Sequence, residues 1–273
     1  MTKRWRRVDC WLFLGCGLLS PAPKLRHGPW SIDDAYITFR YARNLADGLG
    51  MVYNPGQFVL GTSTPAFTLL LAGLFWLTRI EMPWLAVGLS AIADGVGSSL
   101  LYHLAQRMGL PIWMAVITSL SLVFSPLSLH YALGGMETSL ASALLLGSFV
   151  FFLRRHDGWA MVVVGLAVLT RLDALAAAFT MIMWVTLKTR RIPWRLFLIL
   201  GSVLLPWFAY AALRYGNPLP QSVLAKSHLV YSVWPGTASL QILVNFGGLI
   251  LGNVVNMAAK SVAPMPSVEL IGA

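Results

Sequence analysis

Two adjacent carboxylates, Asp33 and Asp34, open the long polar stretch in the N-terminal half of the chain. A carboxylate can take a proton from a hydroxyl as that hydroxyl attacks a substrate, and a second carboxylate beside it can orient the first or tune its pKa. The same pattern is typical of a helix start, because Ser31 suits the N-cap position and Asp34 follows it as in a capping box. Both interpretations remain open, and neither separates the two aspartates.

Other charged residues lie at the ends of apolar runs, where a charge is costly unless it is paired, solvated or at an interface. Glu137 begins an apolar run, where it either complements the helix dipole or pairs with Arg171. Arg171 and Asp173 either neutralise one another, or Arg171 holds a phosphate. Lys226 is either a phosphate contact, since lysine is a compact point charge, or an interfacial lysine whose ammonium group reaches the lipid headgroups.

The apolar runs that must position these residues cover most of the chain. Hydrophobic residues make up 57% of the 273 residues, charged residues only 11%, and the mean hydropathy is +0.70. This composition excludes an ordinary soluble fold. The basic residues cluster at the ends of apolar runs, so the net charge of +10 indicates the cytoplasmic bias of membrane proteins rather than nucleic-acid binding. The predicted runs are 8–20, 65–80, 84–106, 112–129, 134–153, 159–170, 172–187, 194–213 and 240–258.

The sequence predicts an all-α membrane protein, a single polytopic helix bundle over residues 1–273 that has outer loops at 21–64 and 214–239. The first outer loop is predicted to hold a membrane-surface helix over 32–47, since its polar and apolar residues separate onto two faces at helical spacing. The segment 53–56, Tyr-Asn-Pro-Gly, is typical of a turn.

The charge pattern leaves one question of topology open. The basic N-terminus and the loops at Arg154 and 188–195 are predicted to be cytoplasmic. Four apolar runs separate the outer loop from Arg154, whereas this scheme requires an odd number of crossings. One run is therefore re-entrant or non-crossing, or two of them form one span. Arg171 then faces the same outer side as Asp33 and Asp34.

Four stretches of the chain together resemble GT-C fold glycosyltransferases, especially the bacterial arabinofuranosyltransferase-like enzymes that use polyprenyl-phosphate sugars. The order and approximate spacing of the stretches match that family over nearly the whole chain. The stretches are DDAYITFRYARNLADGLGMVYNPGQFVLGTSTPAFTLLLA (33–72), HYALGGMET (130–138), LTRLD (169–173) and GNPLPQSVLAK (216–226).

The resemblance implies inverting sugar transfer from a polyprenyl-phosphate donor, without a cofactor or an obligatory metal, and an essential aspartate in the first outer loop. It makes Asp33 or Asp34 the general base. The implied acceptor is a hydroxyl of a cell-envelope glycan, lipid or protein, and the implied location is a bacterial inner membrane with the site facing outside. The residues predicted to bind the donor phosphate or substrate are Lys226, Arg171, Arg40, Glu137, Asp173 and Tyr53.

Two other functions remain as alternatives. Charges within the membrane are also typical of a transporter or flippase, although no inverted repeat is detectable. The chain ends earlier than the relatives that it resembles, which favours a truncated, non-catalytic membrane protein. For Asp94 and His103, which lie inside the run 84–106, we expect interhelical hydrogen bonding rather than catalysis.

Overall fold

The computed structural model describes residues 28–30, 32–218 and 220. Over these residues the chain forms nine α-helices and one short 3-10 helix, without a strand. The predicted runs 8–20 and 240–258, and Lys226, lie outside the described residues. The helices are α1 (Asp33–Ala46), α2 (Pro65–Thr78), α3 (Met82–Arg107), α4 (Ile112–Val123), α5 (Pro126–Leu133), α6 (Thr138–Leu153), α7 (Asp157–Thr170), the 3-10 helix Leu172–Ala174, α8 (Leu175–Thr189) and α9 (Trp194–Tyr215).

Four helical segments are long and apolar enough to cross a membrane: Met82–Arg107, Ile112–Leu133, Leu172–Thr189 and Trp194–Tyr215. The second combines α4 with α5, and the third combines the 3-10 helix with α8. The helices α2, α6 and α7 are apolar but shorter, with 14, 16 and 14 residues. A helix of this length reaches only about 21–24 Å, less than the ~30 Å of a hydrocarbon core. The composition and these helices indicate an integral membrane protein.

Two predicted runs differ from the observed helices at proline and glycine. The run 112–129 divides into α4 and α5, because Pro126 starts a new helix and Ser125 caps it through a hydrogen bond from Ser128 N. The run 134–153 becomes helical only at Thr138. Gly135 precedes it in a left-handed conformation, with φ of +76°, which few residues other than glycine adopt readily.

Helix α2 runs beside α1 over its whole length. Near their first turns, the hydroxyl oxygens of Thr38 and Thr64 lie 3.4 Å apart, and just past their last turns Arg79 pairs with Asp47 at 3.5 Å. Both ends of α2 therefore lie beside α1. The two helices pack against the start of α3 through a cluster of buried apolar side chains. The cluster consists of Ala35, Phe39, Ala42, Phe67, Leu71, Ala72, Phe75, Met82, Leu85 and Ala86.

The remaining helices run along the bundle in alternating directions. Ser90 on α3 donates to Met136 O, just before α6, at 3.4 Å, and further along α3 His103 contacts Arg154, just after α6, at 3.1 Å, so both helices start at the same end. The pair α4 and α5 returns along α3, since Ser98 bonds Ser119 on α4 and Asp94, one turn earlier on α3, bonds Ser128 on α5. From α2 to Arg154 the chain thus makes three passes, α3, α4 with α5, and α6. Of the four apolar runs that the sequence places before Arg154, α2 is therefore the one that does not pass along the bundle.

The bundle has one strongly basic end, opposite to α1 and the start of α2. The ends of α3, α6 and α8 and the start of α9 carry its cationic side chains. We define the basic end by Arg107, Arg154, Arg155, Lys188, Arg190, Arg191 and Arg195. The loop from α1 to α2 lies at the opposite end, where Tyr215 at the end of α9 donates to Met51 O.

The loop between α1 and α2 is fixed by main-chain contacts. The turn predicted at 53–56 is observed one residue later, over 54–57, because Gln57 N donates to Asn54 O at 3.1 Å and Gly56 has φ of +83°. The fully buried Tyr41 receives a hydrogen bond from Gly61 N at 2.9 Å and donates one to Val59 O. The helix predicted over 32–47 is present as Asp33–Ala46, with Phe39 and Ala42 buried and Arg40 and Arg43 exposed; its place at a membrane surface stays a prediction.

Gly135 supplies a test of how the α5–α6 connection supports α1. A Cβ atom placed at Gly135 would lie 2.7 Å from Cζ of Phe39, and the backbone there is left-handed. We expect Gly135→Ala to lower the free energy of unfolding by about 2 kcal/mol, measured by thermal unfolding in detergent. The control is Gly73→Ala in α2, where a Cβ has nothing within 4 Å and alanine favours the helix. Equal melting temperatures for both variants would contradict this role.

Candidate functional site

A cavity of about 1120 Å³ lies at the end of the bundle opposite to the basic end. Its size suits a small-molecule substrate, since ligand pockets usually span about 300–1,000 Å³. Polar side chains face it from six parts of the chain. They lie in the first two turns of α1, the loop 61–64, the middle of α3 at Asp94, the start of α5, the start of α6 and the connection between α7 and α8.

The structure distinguishes the two aspartates at the start of α1. Both aspartates are exposed, but Asp34 lines the cavity and Asp33 does not contribute to its wall. Helix α1 begins at Asp33 with Ile32 as the N-cap residue and no side-chain capping bond; Ser31 lies outside the described residues. Ile32 N donates to Gly134 O at 3.0 Å. This bond ties the helix start, and with it Asp34, to the connection between α5 and α6.

Glu137, Arg171 and Asp173 form a connected ionic group in the cavity wall. One terminal nitrogen of Arg171 bonds Glu137 Oε1 at 3.1 Å, and the other bonds Asp173 Oδ2 at 3.1 Å. The pairing of Glu137 with Arg171, one of the two predicted interpretations, is present, and so is the pairing of Arg171 with Asp173. Burial raises the pKa of Glu137 above its usual value, although Arg171 acts in the opposite direction.

The cavity wall is strongly acidic. Among the described residues that line it, four carboxylates face a single guanidinium, that of Arg171. That guanidinium is already shared between two carboxylates, so it suits the positioning of Glu137 and Asp173 better than the binding of a phosphate. A phosphate in this cavity needs a further cation. Lys226 is the residue predicted for that task. The four carboxylates belong to Asp34, Asp94, Glu137 and Asp173.

Arg40 and Tyr53, two further predicted binding residues, lie away from the cavity lining. Arg40 Nε donates to Tyr53 O at 2.9 Å, and its guanidinium lies 4.6 Å from the centre of the Tyr53 ring. It also donates to Asn54 Oδ1 at 3.1 Å. Both residues therefore hold the loop against the exposed face of α1. The predicted residues that the structure brings together are Asp34, Glu137, Arg171 and Asp173.

A row of threonine hydroxyls beside Asp34 was missed by the sequence reasoning. Thr62 Oγ1 lies 3.3 Å from Thr64 Oγ1 and 3.2 Å from Thr68 Oγ1, and Thr64 in turn contacts Thr38. All four side chains are buried, and all but Thr68 line the cavity. The available signal was the run Gly-Thr-Ser-Thr-Pro at 61–65, a cluster of small polar residues directly before an apolar helix.

Asp94 and His103 have the interhelical contacts predicted for them. Ser128 Oγ on α5 donates to the buried Asp94 Oδ2 on α3 at 3.0 Å, and Asp94 also lines the cavity. His103 contacts Arg154 near the basic end. Within the ranges that the structure describes, no group of three or more histidine, cysteine or acidic residues is arranged to hold a metal ion.

Comparisons with protein-family models, with curated proteins and with solved structures find no match to this chain. The residues that line the cavity therefore provide the indication of its chemistry. It combines a carboxylate at a helix start, buried hydroxyl groups and a paired acidic and basic group in one space. This combination can accept a proton and can hydrogen-bond a substrate that carries several hydroxyl groups.

Arg171→Gln is expected to destabilise the protein by about 2 kcal/mol, because the buried Glu137 loses its cation while solvent screens part of the effect. The penalty should grow with pH. The raised pKa of Glu137 means that the folded state binds the extra proton, so stability falls as pH rises from the usual carboxyl range through the raised value. Without Arg171 that pKa rises further, which widens the window.

Thermal unfolding in detergent at about pH 5 and about pH 8 measures this dependence. The matched control is the double variant Glu137→Gln with Arg171→Gln, which leaves no carboxylate at position 137 and should lose most of the additional pH dependence. A penalty for Arg171→Gln that is the same at both pH values would show that the Glu137 charge is not responsible.

Proposed function

We propose that this protein is a membrane glycosyltransferase that moves a sugar from a polyprenyl-phosphate donor to an acceptor hydroxyl. The observation that carries the proposal is the position of Asp34 in a polar cavity at one end of a bundle whose helices are long and apolar enough to cross a membrane. A lipid-linked donor reaches such a cavity from the bilayer, whereas a polar acceptor reaches it from water. The resemblance of segment 33–72 to the first outer loop of GT-C enzymes supports the same function.

In the proposed reaction, Asp34 acts as the general base. The acceptor hydroxyl gives its proton to the Asp34 carboxylate as its oxygen attacks the anomeric carbon. The bond between that carbon and the phosphate oxygen breaks, and its electron pair leaves with the polyprenyl phosphate. Attack from the face opposite to the leaving group inverts the configuration of the sugar.

The other cavity residues bind and orient the reactants. The hydroxyl groups of Thr38, Thr62 and Thr64 lie beside Asp34 and suit hydrogen bonds to sugar or acceptor hydroxyls. Arg171 holds Glu137 and Asp173 in fixed positions, so that both carboxylates can accept hydrogen bonds from sugar hydroxyls. Lys226 supplies the cation for the leaving phosphate. Holding both reactants in this geometry provides much of the rate advantage.

We also propose that the cavity faces outward from a bacterial inner membrane. The basic end and the cavity lie at opposite ends of the bundle, and basic loops favour the cytoplasmic side. The three passes between α2 and Arg154 agree with an outer position for α1. Asp34 then meets a donor that has already been moved to the outer leaflet.

A transfer assay tests the function. The full chain is reconstituted into vesicles with a panel of radiolabelled polyprenyl-phosphate sugars and with glycan, lipid and peptide acceptors. We expect label to move to one acceptor class and polyprenyl phosphate to appear in equal amount. Absence of transfer with every donor, together with counterflow of a labelled substrate across the same vesicles, would replace this proposal with the transporter alternative.

A further inference from the structure

A second cavity, of about 720 Å³, lies at the basic end between α7, α8 and α9. Its wall carries Arg155 and His156 from the α6–α7 turn and Arg195 from the first turn of α9. Asp157 is the one carboxylate among the described residues that line it. The cavity therefore has a cationic rim, whereas the cavity at the other end of the bundle is acidic.

The two arginines of this rim have charges that no described carboxylate neutralises. Neither Arg155 nor Arg195 forms an ion pair with a described residue, whereas Arg171 is fully paired. The first turn of α9 contains no acidic residue, so Arg195 places a positive charge at the positive end of a helix dipole, where a bound anion would be favourable. The backbone of Arg155 is fixed by its turn, in which Arg155 N donates to Phe152 O at 3.0 Å.

The inner part of the same cavity is apolar. Trp159, which is 63% exposed, stands at the rim, and tryptophan is typical of the level of lipid headgroups. A ligand that suits this cavity carries an anionic group at one end and a hydrocarbon surface at the other. The apolar lining is formed by Val162, Val185, Leu196 and Ile199.

We propose that this cavity binds the phosphodiester headgroup of an anionic glycerophospholipid. Arg155 and Arg195 hold the phosphate oxygens, since a guanidinium donates paired hydrogen bonds to phosphate. The first acyl carbons lie against the apolar lining. Basic pockets between membrane helices on the cytoplasmic side are known to suit such headgroups. The bound lipid joins α7, α8 and α9 where α8 packs on few of the described helices.

The test measures the affinity of the full chain in detergent for fluorescent phosphatidylglycerol. We expect Arg155→Gln with Arg195→Gln to weaken binding by about tenfold to a hundredfold, since each lost contact is a hydrogen bond to a charged group. The matched control, Arg190→Gln with Arg191→Gln, removes the same charge from exposed positions of the basic end that do not line the cavity. It should change affinity less than about twofold.

Three results would overturn the proposal. These are an equal loss in both double variants, phosphatidylcholine binding to the wild type as tightly as phosphatidylglycerol, and competition by inorganic phosphate at the concentration at which the lipid competes. The last result assigns the site to free phosphate instead of a lipid. Titration of the wild type with phosphatidylglycerol, phosphatidylcholine and inorganic phosphate decides the proposal even if the arginine variants fail to fold. The outcome is independent of the sugar-transfer activity.

Discussion

Asp34→Asn is expected to lower the rate of sugar transfer by about a thousandfold, whereas Asp33→Asn should lower it less than about tenfold. The two residues are neighbours and differ in one property that matters here. Both are exposed, but only Asp34 lines the cavity. Asparagine keeps the shape of the side chain but cannot accept the proton of the acceptor hydroxyl, so kcat should fall with little change in the KM for the donor.

The measurement is initial-rate transfer of a labelled sugar by both variants at matched protein levels in vesicles. Asp33→Asn serves as the matched control, because it removes an identical charge from the same helix turn. A larger loss of kcat in Asp33→Asn than in Asp34→Asn would contradict the assignment of the base. Equal melting temperatures for the two variants ensure that the comparison concerns catalysis and not folding.

Lys226→Gln is expected to lower kcat/KM for the donor by about tenfold to a hundredfold and to leave the KM for the acceptor unchanged. The reason is the charge of the cavity. Four carboxylates face one guanidinium among the described lining residues, and that guanidinium is committed to Glu137 and Asp173. A donor phosphate is repelled from such a wall unless another cation accompanies it.

Steady-state kinetics with varied donor and then varied acceptor separate these two effects. Lys188→Gln is the control, since Lys188 lies at the basic end, far along the bundle from the cavity. A variant at position 226 with unchanged donor kinetics would show that the phosphate is neutralised elsewhere. An increase in the acceptor KM alone would place Lys226 on the other substrate.

Local sequence patterns predicted most of the helices, because their signals lie within a few residues of one another. The helix expected over 32–47 is observed as Asp33–Ala46, with the polar and apolar faces that its spacing indicates. Where proline or glycine interrupts an apolar run, composition alone misled the prediction. Pro126 divides one run, and the left-handed Gly135 delays the start of the next helix.

The position of α2 could not be predicted from local sequence patterns, because it depends on packing between helices. Its 14 apolar residues predict one more membrane crossing. Its packing along α1, where Arg79 pairs with Asp47, shows instead that α2 is not one of the passes along the bundle. The pairing of Arg171 with Glu137 and Asp173 was easier to predict, because charged side chains in apolar surroundings are costly unless they are paired. The choice between Asp33 and Asp34 required the helix to be placed against the start of α6.

The threonine row illustrates a different limit. Thr38 and Thr64 are 26 positions apart in sequence, and their hydroxyl groups meet only because α1 and α2 lie side by side. A threonine in an apolar run is commonly satisfied by its own helix, as Thr68 is by Thr64 O at 2.9 Å. The residue type alone therefore does not distinguish a cavity wall from an ordinary helix.

Photolabelling tests the central claim, that the donor sugar occupies the cavity beside Asp34. A polyprenyl-phosphate sugar that carries a diazirine on the sugar is irradiated with the reconstituted full chain, and the modified peptides are mapped by mass spectrometry. We predict labels within 34–38, 61–64 and 136–142, lost in the presence of excess unlabelled donor. Labels that persist under competition, or that map to the basic end between α7 and α9, would contradict the proposed site.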